Sequence, residues 1–227
     1  MNKYRNSLFI IFFVVVVIAG NGFGITRVAK RLNLLEIYGG AGLPTGQYSD
    51  IPAIDLLFII NNRVVDVDAS DIYNTAYYFG INYGQLKNGH YLVSLGFQFT
   101  DFALQDTILL PLDTVLIFPD KPHLRQYDIS LNLNYLINDL SQIPWSPYVG
   151  LGFQAGIASL TSRQFETEND ANIALNLNFG AEISLFKGDK GRQRVSLASI
   201  NSYNLVATND RPRELNIGGG IRFWFSN

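Results

Sequence analysis

Beyond its first 25 residues the chain has no apolar run approaching the roughly 20 residues that a membrane helix needs, yet apolar side chains return at every second position from Leu32 onward. That pairing of facts constrains the fold more than any single residue does. A period of two belongs to the β-strand, whose successive side chains point to opposite faces. Hydrophobic residues make up 48% of the chain and charged ones only 16%, against roughly a quarter charged in ordinary soluble domains. The apolar content is therefore spread along strands by alternation.

The clearest stretch runs from Tyr73 to Gln85. Tyr73, Thr75, Tyr77, Phe79, Ile81 and Tyr83 share one face, and Asn74, Ala76, Tyr78, Gly80, Asn82 and Gly84 the other. Lys87-Asn88-Gly89 then reads as a hairpin turn, because Asn-Gly tolerates positive φ. The partner strand sets Tyr91, Val93, Leu95, Phe97 and Phe99 against Leu92, Ser94, Gly96, Gln98 and Thr100. The same alternation predicts strands over Tyr127–Ile137, Val149–Ala158, Asn172–Leu185 and Leu215–Phe225. Two further strands are weaker. Leu32–Leu43 phases with Leu35, Ile37, Ala41 and Leu43 outward, and Val195–Ala207 loses its phase near Ala198–Ile200, where a bulge is expected.

What each face meets follows from its charges. The apolar faces carry no charged residue away from strand ends. The opposite faces carry Asn, Gln, Ser and Gly, with isolated charges at Glu36, Asp128, Glu182, Arg194 and Arg222. A soluble sandwich places Lys and Glu in quantity on its outer face, whereas a wall in hydrocarbon looks like this one. Lipid also forbids open sheet edges, since their backbone groups would go unpaired. The expected fold is therefore all-β, a transmembrane antiparallel up-and-down β-barrel. Short links (Leu86–Gly89, Asn138–Trp145, Gly188–Arg192) alternate with long ones, the outer-membrane layout, which places both termini and the short turns in the periplasm. Tyr83, Tyr91, Tyr135, Trp145 and Phe225 should form the aromatic girdle there. Eight strands are expected, with ten as the alternative if Ile54–Ile60 and Arg63–Asp68 join the wall rather than project as a ribbon.

Ahead of the strands, Lys3 and Arg5 precede an apolar stretch, Leu8–Ala19, and then Gly20-Asn21-Gly22-Phe23-Gly24. This is the order of a secretory signal peptide, so residues 1–24 are assigned to export, 25–31 to a short N-terminal segment and 32–227 to the barrel. Cleavage before Ile25 or nearer Ala19 both fit. The chain has no cysteine, which excludes disulfides, thiol catalysis and Cys-ligated zinc. A formal charge of −2 gives no reason to expect a nucleic-acid partner.

Three short runs carry a family resemblance: Gly39-Gly40-Ala41-Gly42-Leu43-Pro44-Thr45-Gly46-Gln47-Tyr48-Ser49-Asp50, Pro147-Tyr148-Val149-Gly150-Leu151-Gly152-Phe153, and Gly220-Ile221-Arg222-Phe223-Trp224-Phe225. The sequence resembles the small bacterial outer-membrane β-barrels, the OmpA transmembrane-domain and OmpX-like group sometimes labelled porin family. The resemblance implies a bacterial outer-membrane location. It also implies that Gly220, Phe223 and Phe225 act as the signal read by the barrel assembly machinery. It says little of function, since one fold hosts many activities.

Candidate chemistry is sparse. Glu36, Asp128 and Glu182 should face Arg194 and Arg222 across a narrow lumen, either as a structural plug of ion pairs or as a gate. His90 and His123 fall at opposite ends of the strands, about 30–40 Å apart, too far to share a site. Asp66, Asp68, Asp71, Glu166, Glu168 and Asp170 read as a solvated loop surface or as a divalent-cation site shared with lipopolysaccharide. The loops 54–68 and 108–118 are unusually apolar. Neither catalytic residues nor a cofactor or metal is expected. The leading expectation is a non-enzymatic structural or surface-interaction barrel that contacts lipid, lipopolysaccharide and an extracellular ligand through its loops. A narrow pore or conduit for small hydrophobic molecules is the alternative, and a lipid-modifying enzyme stands third.

Overall fold

The computed structural model describes residues 32–45, 47–48, 67–68, 73–105, 107–110, 114–117, 123–139, 143–161, 168–188, 193–206 and 213–226. The export segment expected at 1–24, and residues 25–31, lie outside the described residues.

The strands are β1 (Leu32–Thr45), β2 (Gln47–Tyr48), β3 (Val67–Asp68), β4 (Ala76–Lys87), β5 (Tyr91–Ala103), β6 (Thr107–Leu110), β7 (Thr114–Ile117), β8 (His123–Leu136), β9 (Trp145–Thr161), β10 (Glu168–Lys187), β11 (Gln193–Val206) and β12 (Arg213–Phe225). Eight of them close into one antiparallel barrel in the order β1-β12-β11-β10-β9-β8-β5-β4. The first strand pairs with the last from Asn33↔Phe225 to Thr45↔Arg213, so no edge is left along this seam. Eight strands are therefore present, and the ten-strand alternative falls. Val67–Asp68 pairs with Gln47–Tyr48, and β6 with β7, as two small separate sheets that do not enter the wall. Residues 51–66 lie outside the described residues.

The stagger of the wall can be traced through its registers. Starting at Leu32, the paired residues are Leu86, Leu92, Asn134, Gly150, Asn178, Ser202, Asn216 and finally Gly42 on the starting strand. The circuit thus climbs from position 32 to position 42, ten residues. Ten residues at about 3.3 Å, spread over eight strands about 4.8 Å apart, tilt the strands by about 40°. A 13-residue strand such as β12 then rises about 30 Å, enough to cross a hydrocarbon core. A barrel of this size has room inside for side chains and little else.

Burial follows the alternation. In β4 it reads buried, exposed, buried, exposed almost without a break, and β8 repeats the pattern. The outward apolar side chains are bare: Leu133, Leu151, Ile217 and Ile221 are among the exposed hydrophobics. The outward charges Asp101 and Arg125 sit near the loop ends of β5 and β8, paired at 3.7 Å, with His123 Nδ1 2.8 Å from the same carboxylate. At the opposite end Tyr83, Tyr91, Tyr135 and Trp145 point outward as expected, and Tyr91 meets Tyr135 edge-on at 5.3 Å. A second aromatic row, Phe79–Phe99–Tyr127, runs across three strands nearer the loops, with ring centroids 5.4 and 5.2 Å apart. The turn at Asn88-Gly89 has φ of 55° and 74°, both left-handed, as the Asn-Gly pair requires.

Two phasing expectations need correction. Tyr73 does not continue the outward face of β4, whereas Thr75 stays exposed in step with Tyr77. Tyr73 bridges Leu104, one residue out of step with Tyr77↔Asp101, and the extra residue turns its ring inward to pack edge-on against Phe102 at 5.8 Å. The bulge expected near Ala198–Ile200 is also elsewhere. β11 pairs with β12 without interruption from Gln193 to Asn204, and the register shift lies in β10, between Ser184 and Phe186. The phase was lost at Ala198–Ile200 because the residues there break the pattern while the backbone keeps it: Ile200 points inward, and Ser199 and Asn201 point outward, hydrogen-bonded to each other at 2.9 Å.

One close approach shows how tightly the seam is built. A Cβ on inward-facing Gly40 would collide with the Ile217 carbonyl, lie 2.6 Å from Gly218 Cα and 2.8 Å from the Tyr78 hydroxyl. Two of these neighbours are backbone and cannot swing aside. Gly40→Ala is expected to cost about 1–3 kcal/mol in a urea unfolding titration of the refolded barrel. Gly219→Ala, where the added carbon meets only the Ala198 carbonyl at 3.4 Å, should be close to neutral.

Candidate functional site in the barrel lumen

The inward side chains form layers along the barrel axis. At the end bearing the short turns, Leu34, Leu86, Leu92, Leu136, Tyr148 and Trp224 pack into one buried cluster drawn from six strands. Leu86, Leu92 and Leu136 occupy the inward position nearest their strand's turn, and Leu34 lies one inward position in from Leu32, which packs against the cluster. Together they fill the lumen at that end with apolar material.

Against this cluster lies the main polar constellation. Arg222 Nε donates to Glu36 Oε2 at 2.8 Å, and its Nη1 donates to Glu182 Oε2 at 2.8 Å. The remaining oxygens are also engaged: Trp224 Nε1 donates to Glu182 Oε1 at 2.6 Å, and Asn82 Nδ2 donates to Glu36 Oε1 at 3.2 Å. The Arg222 guanidinium also sits over the Tyr148 ring, 4.8 Å from its centroid. All three charged side chains are at most 2% exposed. A buried ion cluster is tolerable only when its oxygens and protons are satisfied in this way.

Of the five interior charges expected from sequence, all five point inward and are buried, but only Glu36, Glu182 and Arg222 come together. Arg194 is buried near the same end, within electrostatic range of Glu182 and of Asp139, and makes neither of the close contacts that Arg222 makes. Asp128 lies in the loop-side half of β8, opposite Gln98 and Gly156, and does not join Arg222. A sixth charge, Glu214, went unread. It is fully buried near the loop end of β12 and accepts from the Nδ2 groups of Asn204 and Asn216 (the latter at 3.0 Å). The signal was available: Glu214 is two residues from Asn216 on the same inward face, but it sits where the strand was taken to begin.

Between the two acidic levels runs a belt of amides. Asn178 Nδ2 is shared between Asn132 Oδ1 at 3.0 Å and Asn134 Oδ1 at 3.3 Å, and Asn132 Nδ2 donates to Ser130 Oγ at 3.1 Å. Two tyrosines reach across to β11: the Tyr148 hydroxyl donates to the Ser199 carbonyl at 2.9 Å and that of Tyr78 to the Ile200 carbonyl at 3.3 Å. The amides and tyrosines line a partly open cavity of about 40 Å³.

The other candidates disperse. His90 Nδ1 is 2.8 Å from the Leu136 carbonyl, at one end of β8, and His123 begins the other end of that strand, so the two stay a barrel's length apart. Among the acidic residues assigned to loops, Glu168 and Asp170 belong to β10, paired with Leu160 and Ala158, and Asp68 belongs to β3. Asp66, Asp71 and Glu166 lie outside the described residues. Among the described residues no group of three or more His, Cys, Asp or Glu side chains is placed to hold a metal ion. Of the closing run, Phe223 points outward, while Gly220 faces inward beneath Tyr38, whose Cβ a side chain there would meet at 2.8 Å.

No protein-family model and no curated protein matches the chain. Several solved structures share its architecture. Neisserial surface protein A (NspA) aligns with a TM-score of 0.49 at 15% identity, over 84% of this chain and 95% of that one. The outer membrane protein OprG from Pseudomonas aeruginosa gives 0.49 at 13% identity, over 86% and 96%. Ail, the attachment invasion locus protein of Yersinia pestis, gives 0.46 at 12% identity, over 87% and 99%. With its closed eight-strand wall, apolar outside and polar within, the chain has the fold of the small outer-membrane β-barrels.

Proposed function

We propose that this chain is an integral protein of the bacterial outer membrane, non-enzymatic, whose role is structural or surface-interacting and is carried by its loops. The observation that supports this reading best is the filled lumen. Six apolar side chains and the Glu36–Arg222–Glu182 cluster occupy the end of the barrel that bears the short turns. A barrel stoppered in this way offers its long connections to the outside rather than a path through its centre. The β6–β7 hairpin, Thr107–Leu110 against Thr114–Ile117, adds a paired ribbon separate from the wall, of the kind that can meet a partner by strand contact.

In this reading residues 1–24 direct export, and both termini and the short turns face the periplasm. Gly220, Phe223 and Phe225 serve the barrel assembly machinery, and the outer surface contacts lipid and lipopolysaccharide. Glu36, Glu182 and Arg222 form a structural plug rather than a gate, while Asp128 and Arg194 act as separate buried charges. The amide-lined cavity favours a second reading, a narrow pore, because it is the polar space such a pore would pass through. Planar-bilayer recording on the refolded chain distinguishes the two. The stoppered barrel is expected to give no steady conductance, and a sustained single-channel current would overturn it in favour of transport.

A further inference from the structure

A carboxamide stands in the outer wall, among side chains that face hydrocarbon. Asn201 points outward in β11, paired with Phe179 of β10 and Ile217 of β12, both exposed apolar residues. Exposed aliphatics continue past it in both directions, Leu197 towards the short turns and Leu177 towards the loops. Its Nδ2 donates to Ser199 Oγ at 2.9 Å. An amide has two N–H donors and an oxygen with two lone pairs, so that single bond leaves one N–H and the oxygen over. Neither meets another group among the described residues. Hydrocarbon offers them no partner, and leaving them bare costs free energy.

The wall is low beside this amide. The next outward row, Ala181–Ser199–Gly219–Gly39, crosses β10, β11, β12 and β1 in register with nothing larger than serine. The row beyond it, Ile183–Leu197–Ile221–Ile37, is bulky and exposed. A Cβ placed on Gly219 would meet only the Ala198 carbonyl, at 3.4 Å, so the space outside the low row is open. In lipid, small side chains let two backbones approach, and amides hydrogen-bond across the contact. What fits the leftover donor and acceptor is set by their own chemistry. A carboxamide is its own complement, giving one N–H and taking another. Two copies of this chain inserted the same way carry Asn201 at the same depth, so a two-fold axis along the membrane normal brings the two amides together.

We infer that two copies of this chain associate in the membrane through the β10–β11–β12–β1 face, with Asn201 of each copy hydrogen-bonded to Asn201 of the other. Ser199 holds the amide in place, and the low row admits the second wall. The inference rests on the reading that hydrocarbon surrounds the barrel, and the two fail differently. A chain that does not enter vesicles sinks that reading, whereas a chain that enters and stays alone sinks this one.

The test is energy transfer between donor- and acceptor-labelled copies refolded into dilauroylphosphatidylcholine vesicles, across a series of protein-to-lipid ratios. The chain has no cysteine, so Ser226→Cys, just past β12, gives a single labelling site. The folded band on a gel confirms insertion in every sample. Transfer is expected to exceed the level of random proximity and to follow a monomer–dimer curve. Asn201→Leu should raise the half-association ratio about tenfold, and Asn201→Gln, which keeps an amide, should raise it less. Gly219→Leu fills the low row and should weaken association while the folded band persists. Leu133→Ile, on the opposite wall, should change nothing. Transfer at the random level at every ratio means the amide meets some other protein or none, and transfer undiminished in both Asn201→Leu and Gly219→Leu places the contact on another face; either result overturns the proposal.

Discussion

Arg222→Met is expected to destabilise the barrel by about 3–5 kcal/mol, because it strands two carboxylates in a space from which water is excluded. Glu36 and Glu182 are each at most 2% exposed, and each loses its 2.8 Å salt bridge when the guanidinium goes. The measurement is urea unfolding of the refolded protein, read by tryptophan fluorescence. The compensated variant separates a charge effect from a packing one. Glu36→Gln with Glu182→Gln and Arg222→Met removes all three charges, yet keeps an oxygen for Asn82 Nδ2 and another for Trp224 Nε1. It should recover most of the loss. If the triple variant is as unstable as the single one, the cluster is needed for shape rather than for charge balance.

The second large effect lies on the other face of the wall. Leu177 points outward in the middle of β10, and Leu177→Arg should cost about 2–4 kcal/mol of insertion stability, the penalty for a cation near the bilayer midplane. Leu177→Ile should be tolerated. Refolding yield into lipid vesicles, scored by the folded band, checks both, and equal yield for Arg and Ile would mean that lipid does not surround this position. The adjacent residue, Asn178, looks from sequence like an interchangeable polar lumen position, so that Asn178→Ser would be nearly silent. Its two hydrogen bonds to Asn132 and Asn134 argue otherwise, since losing them strands buried amide oxygens.

The difference between neighbours 177 and 178 shows where sequence reasoning succeeds. Which face a residue occupies was legible, because strand period is rigid and hydrocarbon imposes a clean sorting: Leu177 out, Asn178 in. Closure followed from the same physics, since an edge in lipid is forbidden. What could not be read was who meets whom across the lumen. Arg222 finds Glu36 and Glu182 rather than Asp128 because a ten-residue stagger lifts each strand relative to its neighbour, and that offset appears only when all the registers are in hand. The apolar stopper was missed for a simpler reason. Leu86, Leu92 and Leu136 occur one per strand among Asn, Ser and Gly, Leu34 has only Leu32 beside it, and only their shared place at the strand ends makes them a cluster. The outward Ser199–Asn201 pair misled in the opposite direction: a polar residue facing lipid imitates a slipped phase, although the backbone register never slips there.

The last strand carries two tasks that are usually separate. β12 zips onto β1 and so seals the circumference, and the same 13 residues bring in Arg222 and Trp224, which complete the stopper. Until that strand arrives, Glu36 and Glu182 line an open trough and can stay wet and charged at no penalty. Its arrival buries the trough and brings the one guanidinium that both carboxylates share. One strand therefore completes both the wall and its filling.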